Sequence, residues 1–461
     1  MKLRPGLTPL IHWRTIYRGG ALALDPFARP DVEAGAAALA EILASAPQPS
    51  PEYSAPTLAE LMEIGGDRLP SPLVRLFGAL KLASLAQGMS GVRWKTLRGI
   101  SNFLGAGLLP AIPAEGAGDR LALASLFSAL TGTGEAVKGQ KRLPAEKALR
   151  KAELSPLILS PEERGALLSG VEMSTAAALA GLFEAERIFQ SALVAAALSA
   201  AAMHCPIAPL HPRVHRLNRQ PGQIEVAAAM RALAAPAERA EASAEAGADD
   251  GGARRTPLRM GACLDLLRQA GATLERAANA VTEERLVLWQ SGEIVAGVED
   301  RSSIARAADL IALSLTTTCD LSLARIEALP GAANAGADAE PGRATAEARA
   351  ASFVERIHEH GAAGGVWRLL PMAGTAALVL AIELLEAMRG ASAEDTHIGP
   401  PLGAVLRELR EAAPPAAGSD MDVGGGLAAI AERVGSGALA AAADVALPGV
   451  AARPQREKTR R

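Results

Sequence analysis

Aromatic residues make up only 3% of this chain of 461 residues, with two tyrosines, four tryptophans and seven phenylalanines. Strands favour β-branched and aromatic side chains, so the scarcity argues against a β-rich fold. Cysteine is equally sparse. Cys205, Cys263 and Cys319 are an odd set, far apart and without a Cys-x-x-Cys spacing, which excludes a disulfide framework and a zinc ribbon. Net charge is only -3, so there is no basic excess to bind nucleic acid. The N-terminal residues lack the apolar run of a secretory signal. The stretch nearest to a membrane span, Ile188–Cys205, is mostly alanine and carries Gln190, Ser191, Ser199 and His204. It reads as a buried bundle helix. A soluble, cytoplasmic protein without nucleic-acid or membrane partners is expected.

What is abundant is alanine, the strongest helix former, within a composition that is 49% hydrophobic. Helices are predicted over Val32–Leu43, Pro72–Gln87, Arg93–Leu104 and Leu121–Leu130. Ser160-Pro161-Glu162-Glu163 has the form of a helix start, with serine at the cap, proline next and acids in the first turn. Long Ala/Leu helices follow to Ala235, broken near Gly170 and at Cys205–Pro212. Further helices are predicted over Met260–Thr282, Ser302–Leu329 and Gly374–Arg389. The last is apolar nearly all round, as a bundle core requires. Ala46–Pro56, Pro110–Gly118, Pro236–Arg255 and Gly331–Arg349 read as loops or connectors. No alternating pattern is long enough for a sheet.

No dinucleotide, Walker or His-Glu-x-x-His motif is present. His358 and His360 are two apart, which on a helix turns them to different sides, so a solvated turn is the expectation rather than a metal pair. His204 and Cys205 read as packing residues. The basic end, Lys458–Arg461, reads as a frayed tail.

Particular strings go further. They are Gly88-Met89-Ser90-Gly91-Val92-Arg93, Ser174-Thr175 with Gly181-Leu182-Phe183-Glu184-Ala185-Glu186, Val214-His215 with Gly222-Gln223-Ile224, Met260-Gly261-Ala262-Cys263, Asn279-Ala280-Val281 and Val379–Leu385. In this order they resemble the histidine/phenylalanine ammonia-lyase family. The resemblance implies an all-α fold, a long bundle of nearly parallel helices in the L-aspartase-like superfamily. It divides the chain into an N-terminal portion, 1–159, with the remnants of active-site loops, and a helical bundle, 160–461, within one continuous unit. It also implies a homo-oligomer, usually a tetramer, with site walls from more than one subunit. The family's electrophile, methylidene-imidazolone, forms when an internal Ala-Ser-Gly cyclises and loses water.

Carried over residue by residue, the resemblance implies that this machinery is gone. Counting back from Gly132-Thr133-Gly134-Glu135-Ala136 places the triad on Gly116-Ala117-Gly118, before Asp119. Ala117 has no hydroxyl to lose, and Ala-Ser-Gly occurs nowhere else, so no prosthetic group is expected. Tyr53 occupies the place of the family's catalytic tyrosine, without the glycines that shape its loop. Ser169 replaces the amide that contacts the prosthetic ring. Arg254 falls where an arginine binds the substrate carboxylate, and Gly297-Val298-Glu299-Asp300 has lost an aromatic and an imidazole. The expected function is a degenerate lyase homologue acting as a structural or regulatory subunit, paired with itself or with an active lyase paralogue. The alternatives are an enzyme working without the usual prosthetic group and a small-molecule binding module using Arg254.

Overall fold

The computed structural model describes residues 2–45, 66–234, 255–329, 341–391, 398–413 and 423–451. Tyr53, Arg254, the predicted loop Ala46–Pro56 and all of the predicted loop Pro236–Arg255 except Arg255 lie outside them. Helices dominate, as the alanine content requires. The predicted segments appear as Arg29–Ser45, Ser71–Leu85, Trp94–Gly105, Asp119–Thr131, Glu172–Ala202, Pro221–Ala234, Thr256–Ala278, Ser302–Ala328 and Leu369–Gly390.

The start signal at Ser160 is realised in full. Ser160 Oγ accepts from the Glu163 N–H at 3.3 Å, and the Glu163 carboxylate accepts from the Ser160 N–H at 3.1 Å. Two expectations need correction. The connector predicted over Gly331–Arg349 is helical from Pro341, in a helix that runs to Ala363. His358 and His360 lie on that helix, not in a turn, and His358 pairs with Asp320 at 2.9 Å.

Strands are present as well. Lys2–Leu3 pairs in parallel with Ala23–Leu24. Leu108–Pro110, Glu135–Lys138 and Lys141–Pro144 form an antiparallel sheet in that order, and Arg285–Leu288 pairs with Glu293–Ala296 as a hairpin. None exceeds four residues, too short for alternation to register in the sequence.

The chain forms two compact units. The first comprises 1–180 and 272–305, the second 181–271 and 306–461. All the described strands belong to the first. Its core is built on the helix Ser71–Leu85, every residue of which from Leu76 to Leu85 is buried. The Gly-Met-Ser-Gly-Val-Arg turn follows this helix for a steric reason. Gly88 and Gly91 hold φ of +78° and +67°, and a Cβ on them would lie 2.5 Å from the Asp31 carbonyl oxygen and 2.3 Å from Leu39.

The second unit centres on the helix Leu369–Gly390, which packs against Pro341–Ala363 and Val423–Ser436. Inside it Arg325 and Glu383 form a buried two-pronged pair at 2.6 and 2.9 Å, and Ser199 and Ser322 donate to the same carboxylate. The three cysteines are buried thiols that form no disulfide. Burial pushes the Cys263 thiol up to about 11, and raises Cys319 as well. Among the described residues, three helical stretches are long and apolar enough to cross a membrane: Pro161–Ala202, Ser302–Ala328 and Leu369–Gly390. Protein already covers 89%, 56% and 72% of their apolar windows, and Ile188–Ala202 packs as the buried helix expected of it.

Candidate functional site

The triad positions form the turn that enters the helix Asp119–Thr131. Gly116 has φ of +66° and Gly118 is extended. The turn lies beside 67–69: Ala114 N–H donates to the Asp67 carbonyl at 2.9 Å, and Leu69 N–H to that of Ile112 at 2.9 Å. Ala117 is half-buried, and its Cβ carries only hydrogens. On the mapping implied by the resemblance, these residues do not fit the family's self-made electrophile, because there is no hydroxyl to eliminate.

The next residue is the anchor. Asp119 is buried, and its carboxylate accepts from the Ser174 N–H at 2.8 Å, the Ser174 hydroxyl at 2.6 Å and Arg301 Nε at 2.8 Å. Ser174 lies in the first turn of the helix Glu172–Ala202. The two residues before that helix are held in the same way. Gly170 N–H donates to Glu299, and Val171 N–H donates to Thr282 Oγ1 at 3.2 Å. Glu299 also pairs with Arg301 at 3.7 Å. The segment that resembles the family's aromatic-and-imidazole tract therefore supplies charged ties to a helix start.

Ser169 is buried at the end of the helix Pro161–Leu168. Its hydroxyl accepts from the Glu284 N–H at 2.8 Å, and its carbonyl accepts from Lys81 Nζ at 2.7 Å. No hydrogen bond among the described residues joins Ser169 to Gly116–Gly118. They are linked through the helix Glu172–Ala202, one side by chain continuity and the other through Asp119.

Lys81 opens a constellation that the sequence reading missed. It is fully buried, with Nζ 3.3 Å from Glu172 and 3.5 Å from Glu283. Glu283 in turn accepts from Ser90 Oγ at 2.6 Å and Ser84 Oγ at 3.4 Å. One cation thus faces two carboxylates out of water. Burial, reinforced by the Glu283 charge and opposed by Lys81, pushes the Glu172 carboxyl above its ordinary value. Glu172 Oε2 has no hydrogen-bond partner among the described residues. A protonated Glu172 leaves Lys81 and Glu283 as a balanced pair. The signal in the sequence was a lone lysine in the apolar run Leu76–Leu85.

A small cavity of about 10 Å³ adjoins this group, lined by Ser90, Glu162, Ser169, Glu283 and Arg285, with Gly165 and Ala166. It has room for roughly one water and none for an aromatic side chain. Glu163 braces the wall. Burial alone would raise its carboxyl, but hydrogen bonds from Arg93, Thr96 and the Ser160 and Arg93 amides outweigh that and hold it below its ordinary value.

His215 and Gln223, quoted for the resemblance, serve packing in the second unit. His215 Nε2–H donates to the Pro209 carbonyl at 3.0 Å, and the Gln223 amide donates to Nδ1 at 2.8 Å. His204, expected to pack, is instead exposed in a left-handed turn with φ of +53°. Among the described residues, no group of three or more His, Cys, Asp or Glu side chains is placed to hold a metal ion.

Comparison with solved structures gives the fold. Histidine ammonia-lyase from Trypanosoma cruzi is 21% identical over 100% of both chains, with a TM-score of 0.84. Phenylalanine aminomutase from Pantoea agglomerans is 19% identical over 94% of this chain and 99% of that one, with a TM-score of 0.84. The ergothioneine-degrading enzyme ergothionase from Treponema denticola is 15% identical over 95% and 99%, with a TM-score of 0.82. The fold is the all-α helical bundle of aromatic amino acid lyases. A family model described as aromatic amino acid lyase matches residues 52–337, more than half of the sequence. The chain belongs to the aromatic amino acid lyase family.

Proposed function

We propose that this protein is a catalytically degenerate member of the family, without the methylidene-imidazolone group. It acts as a structural or regulatory subunit in the cytoplasm, in a homo-oligomer, a tetramer by resemblance, with an active lyase paralogue as a further partner. The observation that carries this reading is Ala117, whose methyl group offers nothing to eliminate. Ser169 supports it, since its hydroxyl is engaged by the Glu284 N–H. Without the electrophile, removal of an unacidified β-proton falls to general acid–base catalysis. That supplies about a hundred- to ten-thousand-fold, short of the roughly million-fold usual for enzymes. Tyr53 and Arg254 remain the positions of the family's base and carboxylate binder.

The test is intact mass together with an ultraviolet product assay on histidine, phenylalanine and tyrosine. The mass should equal the sequence mass, and no urocanate, cinnamate or coumarate should form above background. Robust turnover by the unmodified protein would establish the opposite reading, an enzyme that works without the usual group. Light scattering checks the assembly, and a monodisperse monomer would remove the oligomeric part of the proposal.

A further inference from the structure

The helix Pro212–Asn218 of the second unit buries His215 and leaves its other side to solvent. Charge on that side is all of one sign. Between Glu186 and Glu225 the sequence has no acidic residue. Arg213, Arg216 and Arg219 recur every third residue and are all exposed. The elements packed against this helix supply no counter-charge. The turn Ala208–Leu210 has no ionisable side chain, and the helix Pro221–Ala234 has a single acid, Glu225, which is held by the Arg268 guanidinium through two bonds of 2.7 Å. The other charge on that helix, Arg231, adds to the excess: burial and the neighbouring Arg216 charge hold its guanidinium below its ordinary value. No ion pair among the described residues engages Arg213, Arg216 or Arg219. Beside them stand two apolar side chains that water covers poorly. Val214 is 50% exposed and Leu217 is 81% exposed, three residues apart on the same side.

We propose that this face docks a partner protein segment in which a large apolar side chain is flanked by carboxylates. Guanidinium groups pair with carboxylates through a planar fork, and unpaired cations of one sign steer and orient an acidic partner. Val214 and Leu217 add what charge alone does not use, an apolar contact beside the cations. A nucleic acid would leave both unmatched, and the exposed side of this helix has no aromatic platform for a base. A bilayer would receive only two apolar residues from a seven-residue helix, too little for stable insertion. The chain's own tract 236–250 is acidic, but its apolar side chains are alanine and proline alone. The inference does not rest on loss of catalysis, since this surface is the same whether or not the protein is active.

The experiment uses the full-length protein and fluorescence anisotropy with a short labelled peptide of Glu-Glu-Leu repeats. That peptide should bind, and Gln-Gln-Leu and Glu-Glu-Ser counterparts should each bind at least about ten-fold more weakly. Arg213→Gln with Arg216→Gln, and separately Leu217→Ser, should each cost about ten-fold, with helical circular dichroism and assembly mass unchanged. Equal binding of the Glu-Glu-Ser peptide would overturn the proposal, as would preferred binding of oligothymidylate or of phosphatidylserine vesicles. Tighter peptide binding after deletion of 236–250 would show that the chain's own tract covers the face. A change of assembly mass in Leu217→Ser would show that a second copy does. Either result would overturn the proposal.

Discussion

Asp119 holds Ser174 twice, by its backbone N–H and by its hydroxyl, and so ties the turn Gly116–Gly118 to the start of the helix Glu172–Ala202. Replacing Asp119 with alanine leaves two buried donors without a partner, each costing about 1–3 kcal/mol. The expected outcome is a lower melting temperature and faster hydrogen exchange at the Ser174 amide. Asp119→Asn, which keeps an acceptor, should do less damage. Equal protection of the Ser174 amide in wild type and Asp119→Ala would show that the tie contributes nothing.

Restoring the triad alone should not restore chemistry. In the double variant Gly116→Ala with Ala117→Ser, Ser169 still lacks the family's amide. By the resemblance, Glu299 and Asp300 still stand where an aromatic and an imidazole belong. No product should form from histidine, phenylalanine or tyrosine in the ultraviolet assay. Turnover in this variant would show that the rest of the site is intact.

Glu172 makes stability depend on pH in a defined direction. Its folded pKa lies above the ordinary 4.5, so the folded state binds a proton that the unfolded state releases. The stability this contributes is present below pH 4.5 and is lost as pH rises through the folded value. Glu172→Gln removes the dependence while Lys81 keeps Glu283 and the Ser169 carbonyl. Its melting temperature at neutral pH should equal or exceed that of wild type, and the gap should close on acidification. A large loss at neutral pH would mean that Glu172 is needed as a carboxylate.

The buried pair Arg325–Glu383 should behave asymmetrically. Glu383→Ala strands a guanidinium in the core and should cost about 3–5 kcal/mol. Replacing both partners, as in Arg325→Met with Glu383→Leu, should recover much of that loss, because no unpaired charge remains. Thermal melts of the two variants side by side decide it.

The long elements were legible in the sequence because their signals are local. Ser160 with Glu163 is complete within four residues, and the alanine-rich helices differ from expectation mainly at their ends, by about a turn. The short strands were not legible, because two to four residues carry no periodicity and their pairing is set by tertiary contact. The Lys81 constellation was hidden for a different reason. Its partners Glu172 and Glu283 lie far along the chain, at separations of 91 and 202 residues, and no local pattern encodes such a meeting. The expected loss of the triad hydroxyl, by contrast, rests on a single letter at Ala117, mapped through the resemblance.

The helix Glu172–Ala202 presents the positive end of its dipole at its first turn, where free amides would attract an anion. Here Glu299 and Asp119 already sit on the amides of Gly170 and Ser174. Both are tethered to the same chain, so they act at an effective concentration on the order of millimolar or above. An anionic ligand arriving at this helix start would compete with resident carboxylates that never diffuse away. An external anion could take this helix start only by evicting both side chains, and evicting either one breaks a tie that holds the start of the helix in place.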